Sequence, residues 1–328
     1  MLRALTRVAS VALAGLALLA LPAIAQTKWN LPAAYPAENY HSENLIQFAK
    51  EIDAATKGQL VITVHPGASL FKAPEIKRAV ATGSAQIGEV LISIHENEDP
   101  VFGLDTIPFL TGGFADARKL WLAQKPAIAK KLDSQGLKLL YAAPWPSQGL
   151  YAKQEVNSVA DLKGLKMRAY NVGTTRIAEL ANAQAVTVQA ADLPQALATG
   201  VVNSFMTSGA TGYDSKVWET MSHWYDLEAW QPKNVVIVNK AAFDALPKDQ
   251  QDAILKAAAD AEARIWKTAE QKTGWYVEQL KAKGMKVLKP SPELAAGMKK
   301  IGDQLLADWL AKAPPEAKAV VDAYKKGG

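Results

Sequence analysis

The stretch Asp161-Leu162-Lys163-Gly164-Leu165-Lys166-Met167-Arg168 predicts a turn followed by a short strand. Gly164 is typical of a turn, and the four residues after it alternate between apolar and polar, as in a half-buried strand. This strand ends on Arg168, and ligands of open α/β sheets bind at the carboxyl ends of strands. A guanidinium donates two parallel hydrogen bonds to a carboxylate. From the pattern alone an exposed arginine on a solvated strand end is favoured, because surface arginines are common, and an anchor for an acidic ligand at Arg168 is the alternative.

Strands and helices alternate on both sides of this stretch, with short glycine and proline punctuation, which indicates an α/β architecture. The predicted strands are Thr27–Pro32, Leu60–His65, Ile87–Ile94, Leu137–Ala143, Ala185–Val188 and Val235–Val238. The predicted helices are Ser42–Ala55, Pro74–Thr82, Ala115–Gln135, Thr174–Ala183 and Leu193–Thr199.

A long helix is predicted over Lys248–Lys283, because apolar residues recur there at helical spacing. A helix of this length exceeds the width of one lobe, so it is expected to lie across two. Two shorter helices broken near Gly274 are the alternative, since glycine weakens a helix interior.

The N-terminus has the three-part layout of a secretory signal peptide over residues 1–25. Arg3 and Arg7 precede an uncharged run that begins at Val8, and Ala23-Ile24-Ala25 forms a cleavage signal. A membrane-spanning anchor is the alternative, but the uncharged run to Ala25 is only 18 residues and contains a proline. Because no cysteine follows it, a lipid-anchored lipoprotein is excluded. These features predict export to the periplasm.

Length and composition favour two lobes and argue against nucleic-acid binding. The chain has 328 residues and no cysteine, which excludes thiol catalysis and cysteine metal sites. About 300 residues remain after cleavage, and single hydrophobic cores stop growing near that size. The net charge of +5 falls to +3 without Arg3 and Arg7, and the basic residues form no long run. Nucleic-acid binding usually needs a clustered basic surface.

No catalytic, phosphate-binding or dinucleotide-binding signature occurs, so no cofactor and no metal are expected. The stretch His95–Asp99 concentrates possible metal ligands but lacks the glycine turn of calcium loops, which favours a solvated turn. Tyr40 and His41 follow the first strand and are candidates for a cleft. The segment Thr207–Gly212 predicts a hydroxyl-rich loop in which groups such as Thr207 and Ser208 can bind an anion, and an ordinary turn is the alternative. Aromatic residues that could line such a cleft are Trp145, Tyr170, Phe205, Tyr213 and Trp218.

The Asp161–Arg168 motif resembles the most recognisable motif of the DctP-like solute-binding proteins of tripartite ATP-independent periplasmic (TRAP) transporters. Further pieces similar to that family occur in the same order and span nearly the whole mature chain. These pieces are Phe48–Asp53, Gly83–Glu89, Ile107–Leu110, Gly200–Asn203 and Leu246–Gln251.

The resemblance implies a two-lobed periplasmic binding protein fold with a ligand cleft between the lobes and a long helix spanning both. In such proteins the chain crosses twice between lobes, and Ala143–Tyr151 and Glu228–Asn234 are the candidate crossovers here. Lobe 1 is expected to comprise residues 26–145 and 234–270, and lobe 2 residues 146–233 and 271–310. Residues 311–328 form a C-terminal tail or helix.

The resemblance also implies the function: a receptor that binds a small organic acid and delivers it to the subunits of a TRAP-type membrane permease. In the family the arginine at Arg168 pairs with the carboxylate of the acid. Tyr151 stands where many members carry a second arginine, and Thr207 and Ser208 stand near the place of the family's asparagine. These departures favour a monocarboxylate over a symmetrical dicarboxylate. The expected ligand-binding residues are Arg168, Tyr170, Trp145, Tyr151, Gln148, Thr207, Ser208, Phe205, Tyr40 and His41.

Two other functions remain open from the sequence. One is a secreted enzyme on a similar scaffold, using Ser208 or an acid/base pair such as Glu89 and His95. The other is a sensory receptor whose closed form docks on a signalling protein. A monomer or a weak dimer is expected.

Overall fold

The computed structural model describes residues 26–327, so the predicted signal peptide at 1–25 lies outside the described residues. The strands of the described residues follow in chain order: β1 Thr27–Pro32, β2 Leu60–His65, β3 Ile87–Leu91, β4 Leu137–Pro144, β5 Gln148–Ala152, β6 Lys166–Ala169, β7 Gln184–Thr187, β8 Ser204–Ser208, β9 His223–Tyr225, β10 Lys233–Asn239 and β11 Lys286–Leu288.

The α-helices of the same residues are α1 Tyr40–Ala55, α2 Ala73–Ala81, α3 Phe114–Asp133, α4 Val172–Leu180, α5 Leu193–Ala198, α6 Gly209–Asp214, α7 Lys240–Asp244, α8 Lys248–Ala282, α9 Pro292–Lys312 and α10 Pro315–Lys325. Short 3-10 helices include Ile92–His95, Pro100–Thr106 and Val159–Leu162. The strand predicted over Ile87–Ile94 therefore ends at Leu91, where the chain turns into a 3-10 helix. Within residues 26–327, no helix combines the length and the apolar character needed to cross a bilayer.

The strands form two separate groups, which define two lobes. In lobe 1, β1 and β2 pair in parallel, and β10 lies antiparallel between β3 and β4. In lobe 2, one sheet has the order β11-β9-β5-β8-β6-β7. The expected α/β fold with two lobes is confirmed. The ends of its parallel strands and the N-termini of the helices that follow them face the space between the lobes.

The chain passes from the three-stranded sheet of lobe 1 to the six-stranded sheet of lobe 2 at residues 145–147 and returns at residues 226–232. These two crossovers lie side by side, since the backbone N–H of Trp145 donates to the Pro232 carbonyl at 2.9 Å. The Gln148 N–H donates to the Trp230 carbonyl at 3.0 Å, which extends the pairing into lobe 2. The lobes are thus joined by a two-stranded connection.

Helix α8 is continuous for 35 residues, so the predicted long helix forms and the alternative of two helices broken near Gly274 does not occur. At about 1.5 Å per residue the helix is roughly 52 Å long. Its first half packs on α1 and β4 of lobe 1, and its second half packs on α6 and β11 of lobe 2. The apolar residues that recur along it at helical spacing are buried: Ile254, Ala258, Ala261, Ile265, Ala269, Tyr276 and Leu280.

The turn before β6 has the conformation that its glycine predicts. Gly164 adopts a φ of 76°, a region that favours glycine because other residues meet a Cβ clash there. The strand that follows pairs in parallel with β7 and β8, and its Met167 points into the core with 1% of its surface exposed. Alternation along the strand then turns the next side chain, Arg168, to the opposite face.

The C-terminal segment is helical and ties the two lobes at their back. Helix α9 packs on α4 of lobe 2, while its Trp309 indole N–H donates to the Pro100 carbonyl of lobe 1 at 2.9 Å. Helix α10 packs on α3, and its Tyr324 hydroxyl donates to the Leu110 carbonyl at 2.9 Å.

Candidate functional site

A small cavity lies between the lobes beside the crossovers, and residues of both lobes line it. Lobe 1 contributes Ala34, Tyr35, Ala73, Leu91 and Ile94, lobe 2 contributes Gln148, Arg168, Tyr170, Gln189, Ala190, Thr207 and Thr211, and the crossovers contribute Trp145 and Pro232.

Arg168 is a buried cation with no acidic partner among residues 26–327. Its exposed fraction is 3%, and its only hydrogen bond to a described residue runs from Nε to the Val188 carbonyl at 2.8 Å. The guanidinium carbon lies 4.9 Å from the centroid of the Tyr170 ring. Burial lowers the pKa of Arg168 to about 10, so the group stays charged at neutral pH. Its two terminal nitrogens are therefore available to bind an anion in the cavity.

Two neutral polar side chains face the cavity from adjacent strands. Strands β5 and β8 are antiparallel, which places Gln148 opposite Ser208 and Gly149 opposite Thr207. The Gln148 amide donates from Nε2 to the Pro146 carbonyl at 2.8 Å, so its position is fixed while its oxygen can accept a hydrogen bond. Within the described chain the Thr207 hydroxyl has no hydrogen-bond partner. These groups suit a ligand that carries both a donor and an acceptor besides its charge.

Aromatic rings form the rest of the cavity wall. The Trp145 and Tyr35 rings meet edge to face, with centroids 4.7 Å apart. Tyr170 lies beside Arg168, and burial raises the pKa of its hydroxyl, which keeps that group neutral. The buried Tyr170 hydroxyl donates a hydrogen bond to none of the described residues, so it can donate to a ligand.

Five of the ten predicted ligand-binding residues line this cavity, namely Arg168, Tyr170, Trp145, Gln148 and Thr207. The other five lie one layer behind the wall, and the structure gives a physical reason for each of them. These residues are Tyr151, Phe205, Ser208, Tyr40 and His41.

Tyr151 faces the core of lobe 2, on the side of β5 opposite to Gln148. Its ring stacks on Phe205 at a centroid distance of 4.7 Å, and its hydroxyl donates to the Ser208 carbonyl at 3.2 Å. Both rings are completely buried in this second core. Tyr151 therefore does not occupy the place of a cleft cation, and Phe205 does not line the cleft.

The predicted hydroxyl-rich loop is the end of a strand and the start of a helix. Thr207 and Ser208 are the last residues of β8, and Ser208 caps α6 by accepting from the Thr211 N–H at 3.2 Å. A serine at the N-cap satisfies a helix amide, so Ser208 is occupied within its own lobe. Two further aromatic candidates, Tyr213 and Trp218, pack against each other with centroids 5.7 Å apart and away from the cavity.

Tyr40 and His41 lie behind Trp145. The His41 ring stacks on the indole at a centroid distance of 4.1 Å, and its Nδ1 lies 2.9 Å from Glu89 Oε1. The Tyr40 hydroxyl donates to the Pro144 carbonyl at 2.6 Å. Glu89 and His95 do not pair, because Glu89 is taken by His41 and His95 by Glu98 at 3.1 Å.

Residues 33–313 match the profile of the DctP family, described as bacterial extracellular solute-binding protein, family 7. The chain belongs to the DctP family. The resemblance predicted from the sequence is confirmed, as is the function class of solute receptor.

Solved structures of related receptors superpose closely on this DctP-family chain. The Bordetella pertussis extracytoplasmic solute receptor DctP6, which binds pyroglutamic acid, is 53% identical, with a TM-score of 0.90 over 92% of this chain and 100% of that chain. A marine metagenome TRAP solute-binding protein specific for pyroglutamate is 47% identical, with a TM-score of 0.90 over 92% of this chain and 99% of that one. A solute-binding protein of Albidiferax ferrireducens is 25% identical over 227 residues, which are 66% of this chain and 65% of that protein.

The sequence analysis missed several lining residues of this DctP-family site. Tyr35 follows β1, and Gln189 and Ala190 follow β7, so all three stand just past the ends of parallel strands. The rule that selected Arg168 would have selected them as well. Pro232 belongs to the second crossover, which was predicted only as a connection.

Two asparagines connect the lobes of this receptor on either side of the cavity, and each also caps a helix of its own lobe. Asn39 accepts from the His41 N–H at the start of α1, and its Nδ2 donates across to Asp214 of lobe 2 at 2.6 Å. Asn171 accepts from the Thr174 N–H at the start of α4, and its Nδ2 donates across to Ser93 of lobe 1 at 3.0 Å. These bonds hold the lobes closed around the cavity.

Glu96 packs between the lobes in a second cavity of the receptor. It lies against Gly103 of lobe 1 and beside Gly173 at the start of α4 in lobe 2. Burial, together with the nearby Asp105 carboxylate, raises the pKa of Glu96 to about 7, and the Gly173 amide opposes this rise. Its charge state therefore changes near neutral pH.

Proposed function

We propose that this chain is a periplasmic receptor that binds pyroglutamate, or a cyclic monocarboxylate of the same size, and delivers it to a TRAP-type permease. The observation that carries the proposal is Arg168, a buried cation in an interlobe cavity with no carboxylate partner among residues 26–327. A buried charge needs a counterion, and a ligand carboxylate supplies it when the cleft closes.

The remaining lining residues suit the rest of that molecule. Pyroglutamate carries one carboxylate, a lactam N–H, a lactam carbonyl and an otherwise apolar five-membered ring. Thr207 and Gln148 offer hydroxyl and amide groups for the lactam, and Trp145 and Tyr35 offer aromatic surface for the ring. Arg168 is the one arginine or lysine among the lining residues of the described chain, which favours one carboxylate over two. The related receptors that bind pyroglutamate support the same choice.

In this proposal the acid leaves the receptor unchanged. The groups considered for an enzyme do not form a catalytic arrangement, since Ser208 caps α6 and Glu89 pairs with His41 behind the wall. The receptor supplies binding and closure, and the permease supplies the energy of transport from an ion gradient.

Isothermal calorimetry with pyroglutamate, proline and succinate tests the ligand assignment. We expect pyroglutamate to bind to the wild type, and succinate to bind more weakly because its second carboxylate meets no second cation. Arg176→Met is the matched control for an arginine-to-methionine change at Arg168, since Arg176 lies on α4 with 45% of its side chain exposed. Binding of succinate alone, or of none of the three acids, would overturn the assignment.

Uptake of labelled pyroglutamate by vesicles that contain a TRAP-type permease tests delivery. Receptor-dependent uptake is expected, with pyroglutamate recovered intact by mass spectrometry. Tight binding without uptake would favour the sensory function, and recovery of a converted product would favour the enzyme.

A further inference from the structure

Asn234 bonds two wall residues from behind without lining the cavity itself. It lies in β10 between Leu91 of β3 and Ala143 of β4, and it is fully buried. Its Oδ1 accepts from the Trp145 indole N–H at 2.9 Å and from the Tyr35 hydroxyl at 3.4 Å. One amide oxygen therefore joins two cavity rings that come from distant parts of the chain.

The donor groups fix the orientation of this amide. An indole nitrogen can only donate, so the atom of Asn234 that faces Trp145 must be the oxygen. Nδ2 then points toward His41, whose Nδ1 lies 3.4 Å away. A buried amide with this arrangement has a single favourable rotamer, because turning it over would place two donors against each other.

His41 supports the same indole on its face. The two rings are nearly parallel, with an interplanar angle of 26°, and the His41 ring is itself held by Glu89 and by the Tyr40 oxygen at 2.9 Å. The indole is thus bonded at its edge by Asn234 and stacked on one face by His41. Little freedom remains for Trp145 except in the direction of the cavity.

We propose that Asn234 is a positioning residue for the ligand, which sets the angle of the Trp145 and Tyr35 rings against the bound molecule. The proposal rests on the proposed function, because it takes pyroglutamate as the molecule whose ring meets this wall. Asn234 touches no ligand in this scheme and acts only through the two rings. Its effect on affinity must then shrink when the indole N–H is absent, because only the longer bond from the Tyr35 hydroxyl remains.

A double-mutant cycle in calorimetry tests this dependence, with pyroglutamate as the probe. Asn234→Leu keeps the size of the side chain and removes the acceptor, and we expect it to weaken binding about 10-fold. Trp145→Phe keeps an aromatic ring and removes the N–H donor. In the Trp145→Phe background, Asn234→Leu is expected to change affinity at most about 3-fold, since the bond to the indole is already absent and only the 3.4 Å bond from Tyr35 is lost.

Asn239→Leu is the matched control on the same strand. Asn239 caps α7 by accepting from the Ala242 N–H and donates to the Val80 carbonyl at 2.9 Å, at the opposite end of β10 from the cavity. We expect this variant to lower the melting temperature and to leave the affinity for pyroglutamate unchanged. A loss of affinity equal to that of Asn234→Leu would mean that general destabilisation of β10 explains both, and would overturn the proposal.

The remaining outcomes also decide the matter. An equal 10-fold loss in both backgrounds, or wild-type affinity in Asn234→Leu, would overturn the positioning role. If Asn234→Leu does not fold, Trp145→Phe alone tests the bond from the donor side, and wild-type affinity there would refute it. Failure of the wild type to bind pyroglutamate is a different result, which refutes the proposed function.

Discussion

Replacing Arg168 with methionine is expected to abolish tight binding while leaving the fold intact. Methionine matches the unbranched stem of arginine and removes the charge. Arg168 makes one hydrogen bond within the described chain, from Nε to the Val188 carbonyl, so the substitution breaks little that supports lobe 2. The ligand carboxylate, by contrast, would enter a buried cavity with no cation to meet it.

The size of the effect follows from that burial. With 3% of its surface exposed, the guanidinium pairs with the ligand in a site shielded from water. Removing one member of a buried charge pair costs about 3–5 kcal/mol, because the other member is left uncompensated. This loss corresponds to roughly two to three and a half decades in the dissociation constant. The free protein should melt no lower than the wild type, since a buried unpaired cation has been removed.

Calorimetry with pyroglutamate, combined with thermal melts of the ligand-free proteins, measures both quantities. Arg168→Lys is expected to bind weakly as well, because an ammonium cannot make the bidentate pair. The reasoning would be refuted if Arg168→Met bound pyroglutamate within threefold of the wild type. A large fall in the melting temperature of the free variant would show instead that Arg168 is mainly structural.

Three further sets of variants test other parts of the structure. Thr207→Val removes a hydroxyl that faces the cavity, and a loss of one neutral hydrogen bond predicts about 2- to 12-fold weaker binding by calorimetry; unchanged affinity would exclude a contact there. Because the pKa of Glu96 rises from its usual 4.5 to about 7 in the folded state, protonated Glu96 stabilises the protein at low pH, and this stabilisation is lost as the pH rises through 7. Between pH 4.5 and 8, the free energy of unfolding measured in urea should therefore fall by up to about 3 kcal/mol more in the wild type than in Glu96→Gln. The same pH dependence in both proteins would contradict this. Gly274→Ala should raise the free energy of unfolding by about 1 kcal/mol, since a Cβ there meets no atom within 4 Å in the helix. Gly149→Ala should destabilise lobe 2, because its Cβ would overlap the Trp224 indole. The opposite order of the two variants in urea unfolding would refute the packing argument.

Local patterns predicted the elements that depend on local physics. Two examples are the glycine turn with the alternating strand at Arg168, and the spacing of apolar residues along α8. Each pattern depends on a single segment that packs against one surface. The position of Arg168 at a strand end then followed from the topology of α/β sheets.

Five of the ten predicted site residues lie behind the cavity wall, for reasons that no single segment of sequence contains. Tyr151 and Gln148 lie on one strand and face opposite ways, and only the pairing of β5 with β8 and β9 decides which face meets the cleft. Helix α6 has six residues with glycine at two of them, so it offers no apolar period, and Ser208 as a capping residue was its main signal. His41 is buried because it stacks on Trp145, a contact between residues that lie far apart in the sequence.

The two asparagines that join the lobes have a consequence for the entropy of closing. A side chain that reaches across a gap usually gives up rotamer freedom at the moment of contact. Asn39 and Asn171 are already immobilised, because each is fixed by the first turn of its own helix through bonds that lie within one lobe. Bringing the lobes together therefore adds two hydrogen bonds without freezing two free side chains. Both asparagines are already ordered before the lobes meet, so more of the binding free energy of the acid remains as affinity.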